Sequence, residues 1–458
     1  MMTILMLLLA CGGDDAPTPD TSTTPDPAAF TQLAEEAGFA VGEGLFVISD
    51  YGGCCDPGAK CLGNNLATPY GTWAVPPVEG DTTPPPIDPF EPWSDVPEPL
   101  QKTFRMREDE ALVWLGTAPP KARYFSVRSY LGVREDPDGD IRAPLASLGP
   151  SFNNLVLEEA FGEPIWDETM AVVTTANGTV EAEVVELLAE IGVERVVRDR
   201  LPMQYLKLGL DDGDDGIQVV TRAAFYDDPA AGQAWLDDPG ATVWRLTPKE
   251  EKPSDWHELP TMPVRGTGED ELALRPEVDA LQELLQERYP SMGVVVPGNP
   301  HFQETLTCID TMETCAGDST DRLAATSPSF FLDPADESVK FVVFGVNHEA
   351  TGKSAYANIS VTTRLQGVGA VTKTHEEMRG SARWFGYDGP NADLLYAFVV
   401  SRDCSREGGA PCMEVAVGCP GAWADEAMHL TERAYLEEAT KAAPLESELV
   451  MFRAARVP

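Results

Sequence analysis

The chain has 458 residues, with 33 Lys and Arg against 75 Asp and Glu, a formal charge of −42. That field repels phosphate backbones, so nucleic acid is excluded as a partner, and so is docking on anionic lipid through a basic patch. Hydrophobic residues make up 43% and aromatic residues 8%, enough for a core, and at ~150 residues per domain the length fits two or three domains.

Residues 1–10 read MMTILMLLLA, and Cys11 follows. An apolar run this short is about half the ~20 residues of a membrane-spanning helix, so it reads as the core of a signal peptide. Leu8-Leu9-Ala10-Cys11 resembles the lipobox of bacterial lipoproteins. The resemblance implies cleavage before Cys11, a diacylglyceryl thioether on its sulfur, and membrane attachment through that lipid. Residues 12–29 are Gly, Asp, Pro, Thr, Ser and Ala and read as a flexible tether. Gly12 stands where an Asp implies inner-membrane retention, so the expectation is the cell envelope at the outer membrane. The whole resembles the uncharacterised, acidic, tethered lipoproteins of bacteria, which fixes no activity.

The first hundred residues hold fifteen acids and one base, Lys60, and prolines are dense from Pro76 to Pro99. Residues 31–100 therefore read as a Cys- and Pro-rich arm that wraps the body or spaces it from the membrane. Beyond it, residues 101–247 read as one α+β domain. Strands are predicted at 111–115, 122–131, 169–175, 194–197, 218–225 and 242–246 from β-branched and aromatic runs. A helix is predicted at 180–191, with Val180, Val184, Leu187, Leu188 and Ile191 on one face and Asn177-Gly178-Thr179 before it. Residues 248–274 are polar and read as a linker. Residues 275–458 read as a second α+β domain. It has helices at 275–289 and 422–436, and strands at 340–346, 355–363, 394–401 and 448–455. The predicted fold class is α+β, largely antiparallel, with a few amphipathic helices.

An internal echo links the two halves. Gly116 is followed by Lys121-Ala-Arg-Tyr124 and a strand; Gly345 is followed by Lys353-Ser-Ala-Tyr356 and a strand. Either two related β-modules occupy the two halves, or two hairpins match by chance. Strand order around the two segments distinguishes the readings.

Eight cysteines remain besides Cys11: Cys54, Cys55, Cys61, Cys308, Cys315, Cys404, Cys412 and Cys419. An even number in an exported chain reads as a disulfide framework. Cys308 and Cys315 form an isolated local pair. A link between the group of Cys404, Cys412 and Cys419 and that of Cys54, Cys55 and Cys61 would staple the arm to the C-terminal domain. There is no CxxC pair for zinc.

No serine-hydrolase elbow, zincin helix, P-loop or dinucleotide fingerprint is present. The densest polar group at strand ends is Asn347, His348, Lys353, Tyr356 and Asn358, where His348 is the candidate acid or base for a ligand or an enzymatic site. A hydrogen-bonded hairpin is the structural alternative. His375, Arg379 and Arg383 are a candidate anion site, with salt bridges as the alternative. Asp136, Asp138 and Asp140 alternate like the start of a calcium loop, but Ile141 stands where the loop needs Gly and Ser147 where it needs Glu. A hairpin turn is the other reading, and no other cofactor is implied. Two functions follow as expectations: a lipid-anchored envelope protein that binds or scaffolds, or a secreted enzyme working at His348, Lys353 and Tyr356.

Overall fold

The computed structural model describes residues 25–49, 65–87, 96–301, 307–311, 315, 317–336, 338–365, 367–419 and 421–457. Cys11, the tether, Cys54, Cys55 and Cys61 lie outside them.

The N-terminal half contributes α1 (Pro27–Glu36), β1 (Phe39–Ile48), β2 (Tyr70–Ala74), β3 (Ala111–Thr117), β4 (Ala122–Glu135), β5 (Ile141–Arg142), β6 (Ala146–Ser147), β7 (Phe152–Asn153), α2 (Asn154–Phe161), β8 (Thr169–Thr175), α3 (Gly178–Glu190), β9 (Val196–Arg200), β10 (Gly216–Tyr226), α4 (Pro229–Asp237) and β11 (Thr242–Pro248). The C-terminal half contributes α5 (Arg275–Arg288), β12 (Val296–Pro297), β13 (Asn299–His301), α6 (Thr307–Thr311), β14 (Arg322–Thr326), β15 (Lys340–Val346), β16 (Tyr356–Thr363), β17 (Gly369–Thr374), α7 (His375–Met378), β18 (Leu395–Ser401), β19 (Cys412–Glu414), β20 (Met428–Tyr435) and β21 (Arg453–Val457). The fold is α+β. Strand pairs are antiparallel except β8 with β9 and β18 with β19.

The N-terminal sheet runs β5-β4-β10-β2-β1-β11-β3-β8-β9, with β6 and β7 on β4. It folds over on itself, so Phe125, Val127 and Val219 of one end meet Trp114, Val172 and Val243 of the other in one apolar core. The C-terminal half is a sandwich of β12-β21-β15-β18-β19 against β13-β14-β20-β16-β17. Ile359, Val361 and Leu430 of one sheet meet Val343, Phe398 and Ala454 of the other.

The two halves are the same module. β1 corresponds to β12 and β13 together, β2 to β14, β3 to β15, β4 to β16, β8 to β18, β9 to β19, β10 to β20 and β11 to β21. Each pairing among these strands in one half recurs in the other, in the same register. Leu115 lies opposite Thr242 and Ala171, and its counterpart Phe344 lies opposite Arg453 and Ala397. Arg222 lies opposite Tyr70 and Ser126, and Arg433 lies opposite Ala324 and Asn358. The strand that is continuous in β1 is broken between β12 and β13 at Gly298, where a Cβ would stand 2.4 Å from the Phe452 ring. That break makes one sheet in the first half and two in the second. At the end of β10 and just past β20, the corresponding residues Phe225 and Leu436 both take left-handed backbone, φ 60° and 57°. Bulky side chains adopt it rarely, and here the two modules share it.

α1 and α5 cover corresponding outer faces. Phe30 and Ala34 pack on Val113, Leu115, Ala171 and Leu246. Val278, Leu281 and Leu285 pack on Val342, Phe344, Ala397 and Val457.

Several expectations are corrected here. Residues 31–100 are not only an arm, because the end of α1 and all of β1 and β2 lie in them, and Phe39 and Trp73 are completely buried. The echo segments are not hairpins: β3 does not pair with β4, nor β15 with β16. The segment 422–436 is not a helix: it holds β20, Met428–Tyr435, preceded by a turn. Met428 and Leu430 face the sandwich core while Arg433 and Tyr435 face the other module, so both faces are buried and no alternation shows. The helix predicted at 180–191 is α3, and that at 275–289 is α5. Asn177 caps α3 by accepting the Val180 N–H.

Candidate functional site

β15 is an apolar strand buried between α5 and the sandwich core, and it delivers Asn347 and His348 into the interior at its end. Asn347 donates to the His375 carbonyl at 2.8 Å. His348 is 1% exposed. Its Nδ1 sits 2.9 Å from Glu271, and its Nε2 lies 3.4 Å from Glu432. Burial opposes its charge, but the two carboxylates outweigh that and push its pKa up to about 10. Glu271 also accepts from Thr351 and from the Val450 N–H, and Glu432 from the Tyr396 hydroxyl. His348 is thus an imidazolium held between two carboxylates that are themselves held.

Lys353 ends elsewhere. Its Nζ donates to Glu437, to Glu448 at 2.6 Å, and to the Glu269 carbonyl at 2.9 Å. Burial pulls its pKa down, but Glu437 and Glu448 outweigh this and hold it above the ordinary lysine value. Together Lys353 and His348 clamp residues 269–271 onto the C-terminal module. Tyr356 and Asn358 instead enter the layer between the modules. The Tyr356 hydroxyl is 2.7 Å from Thr68, and Asn358 donates to Asn65 at 2.9 Å. Burial raises the Tyr356 phenol well above its usual pKa. The five predicted residues therefore divide between two buried networks.

That layer is polar and aromatic. Arg222 donates to the Tyr130 hydroxyl at 2.7 Å and lies over the Tyr70 ring, 5.1 Å from its centroid. Tyr124 reaches Asp321 at 3.1 Å, and Asn153 donates to the same carboxylate at 2.9 Å.

His375, Arg379 and Arg383 meet three different partners. His375 is buried edge-on to Phe225, with ring centroids 4.7 Å apart, and burial lowers its pKa. Arg379 pairs with Glu349 at 2.8 Å, a carboxylate that also holds Arg123, and Arg383 pairs with Asp393 at 3.2 Å. Asp136 accepts the N–H groups of Asp138 and Asp140 and pairs with Arg142 at 2.9 Å. Asp140 also reaches Arg142. These three aspartates form the turn between β4 and β5. Among the described residues, no group of three or more His, Cys, Asp or Glu is placed to hold a metal ion.

A further polar group lies in the core of the first module. Asp199, on the edge strand β9, is 8% exposed. Its Oδ2 accepts from the Ser129 hydroxyl and from the Thr174 hydroxyl at 2.8 Å. Burial raises its pKa, against those two hydrogen bonds. Asp199 lines a cleft of about 420 Å³ with Gly149, Pro150, Phe152, Arg198, Arg200 and the segment 258–261. Arg198 and Arg200 point to the other side of β9, where Glu181 of α3 pairs with both.

No family model matches the chain, and no curated protein matches it. Among solved structures, an uncharacterized protein from Burkholderia cenocepacia is similar at 13% identity and a TM-score of 0.44, over 96% of this chain and 91% of that one. The VPA0106 protein from Vibrio parahaemolyticus is similar at 11% identity and a TM-score of 0.32, over 77% and 88%.

Two cysteine pairs are joined, Cys308–Cys315 and Cys404–Cys412, each with Cα atoms 5.8 Å apart. Cys419 is disulfide-bonded as well. The Cys404–Cys412 bridge spans the connection from β18 to β19. In the first module α3 makes the same crossover. Sequence reasoning missed Asp199. The available signal was a lone acid inward-facing in Val-Val-Arg-Asp-Arg, where alternation expects an apolar residue.

Proposed function

We propose that the protein is a lipid-anchored cell-envelope protein that works by binding rather than by catalysis at His348. The carrying observation is that both ring nitrogens of His348 face carboxylates in a fully buried site. A general acid or base must reach a substrate proton directly or through one water. His348 does neither in this arrangement, and Lys353 is enclosed by Glu437 and Glu448. The disulfides support an exported chain, because such bonds persist in oxidising compartments. The lipobox-like Leu8-Leu9-Ala10-Cys11 supports the anchor, and Gly12 in place of an Asp supports the outer-membrane address. No described helix is long and apolar enough to cross a membrane.

The test is metabolic labelling with palmitate in a bacterial host, with and without globomycin. The expected result is label on the wild type, a larger precursor under globomycin, and no label on Cys11→Ser. An unlabelled wild type overturns the anchor.

A further inference from the structure

We infer that the cleft over Asp199 is a binding site for a small neutral polyhydroxylated ligand, a mono- or disaccharide. Ser129, Thr174 and Asp199 correspond, by strand pairing and register, to Val361, Val400 and Met413. In the second module those three side chains are buried together in the apolar core. The fold therefore does not need polar groups at these positions. Burying a carboxylate and two hydroxyls there is unfavourable compared with the apolar solution that the same chain uses elsewhere.

The arrangement makes chemical sense as a receptor. Ser129 and Thr174 both donate to Oδ2 and fix the carboxylate. Its other oxygen, Oδ1, has no hydrogen-bond partner among the described residues, and Asp199 lines the cleft. An unpaired carboxylate oxygen held rigidly in a cleft accepts hydroxyl donors. Glu258 adds a second acceptor. Arg198 and Arg200 are taken up by Glu181 on the other side of β9, so among the described residues the cleft presents acceptors and no free cation, and an anion is not favoured. Pro150, Phe152, Leu259 and Pro260 supply apolar walls for the C–H face of a sugar ring. The volume falls in the range of small-molecule sites, about 300–1,000 Å³. The corresponding edge of the second module is closed differently: Cys412 stands in place of Arg198 and is bonded to Cys404.

The inference deepens the binding reading and does not depend on the lipid anchor. Saturation-transfer difference NMR on the soluble chain from residue 25 onward retains every described element, and full-length detergent-solubilised protein serves as its control. The probes are glucose, galactose, N-acetylglucosamine and maltose. At least one is expected to give a signal, with binding weakened at least tenfold in Asp199→Asn. The triple variant Ser129→Val, Thr174→Val, Asp199→Met copies the second module; it should lose binding and melt no earlier than the parent. Should the core variants misfold, Leu259→Ala, at an exposed wall position, should still weaken binding several-fold. Absence of any saccharide signal from the wild type overturns the inference, as does undiminished binding in folded triple variant or in Leu259→Ala. Either result leaves the palmitate test of the anchor unaffected.

Discussion

Tyr124 and Tyr356 hold the same position in the two modules and touch each other, their ring centroids 5.7 Å apart and tilted by 57°. Phe225 reaches over to Tyr356 with centroids 4.9 Å apart, and its counterpart Leu436 joins the cluster that holds Tyr124. Each module thus places its left-handed residue in the aromatic cluster shared with its sister.

This cluster should couple the two modules. Tyr356→Ala removes a fully buried ring and its bond to Thr68. The expected loss is about 3–5 kcal/mol, from cavity formation in a well-packed site. Urea denaturation followed by tryptophan fluorescence checks it. A loss below about 1 kcal/mol would show that the aromatic contact contributes little to joining the modules.

His348 gives the second module a pH limit. Its folded pKa, about 10, exceeds the ordinary histidine value of 6.5. The stabilisation is therefore fully present below the unfolded value and is lost as pH rises through about 10. Glu271 is shifted downward despite its burial, because His348 and its hydrogen bonds favour the carboxylate. Its contribution is present above its unfolded pKa and is lost as pH falls through the folded value. Melting temperature against pH should stop rising by about pH 6.5 and fall from there to about pH 10. His348→Gln should remove the alkaline fall that runs from about pH 6.5 to about pH 10 and lower stability by about 3–5 kcal/mol near pH 6, since it leaves two buried carboxylates without their cation.

The Cys404–Cys412 bridge closes a short loop, eight residues along the chain. Replacing both cysteines by Ser should cost about 2 kcal/mol on loop-closure entropy. Hydrogen exchange should report the loss at β18 and β19 and leave β8 and β9 unchanged. Equal loss at both pairs would mean that the crossover is not a local staple.

Chelation should leave the protein unmoved at the turn after β4. Asp136 is held by Arg142 and by backbone N–H groups, which keep its pKa below the usual carboxylate value. EDTA is expected to shift the melting temperature by less than a degree. A larger fall that calcium reverses would restore the calcium reading of Asp136, Asp138 and Asp140.

The strands with uninterrupted β-branched and aromatic runs were legible in sequence, and 340–346 coincides with β15. Helices α3 and α5 were legible from a single apolar face. β20 was not, because its Met, Leu, Glu, Ala and Arg residues are good helix formers and both of its faces are buried. β1 and β2 were hidden by the acids and prolines around them. The echo at Lys121 and Lys353 pointed to the repeat, yet the two lysines act differently. Lys121 is exposed beside Asp227, while Lys353 is buried with Glu437 and Glu448. His348 and Lys353 stood out as polar residues at strand ends; their enclosing acids come from distant segments and cannot be read locally. Asp199 looked like one acid among many. Its meaning appears only when Met413 is found at the same place.

Joining two copies of one fold in a single chain has a consequence for what the interior tolerates. In a symmetric pair of identical chains, an unfavourable core substitution occurs twice, and its destabilisation is doubled. Here the halves vary separately. The carboxylate at Asp199 appears once, against an intact apolar core on the other side of the Tyr124–Tyr356 contact. The linkage also keeps that contact intramolecular, so a weakened half stays beside its stable sister at high effective concentration. One module thereby serves as the other's scaffold.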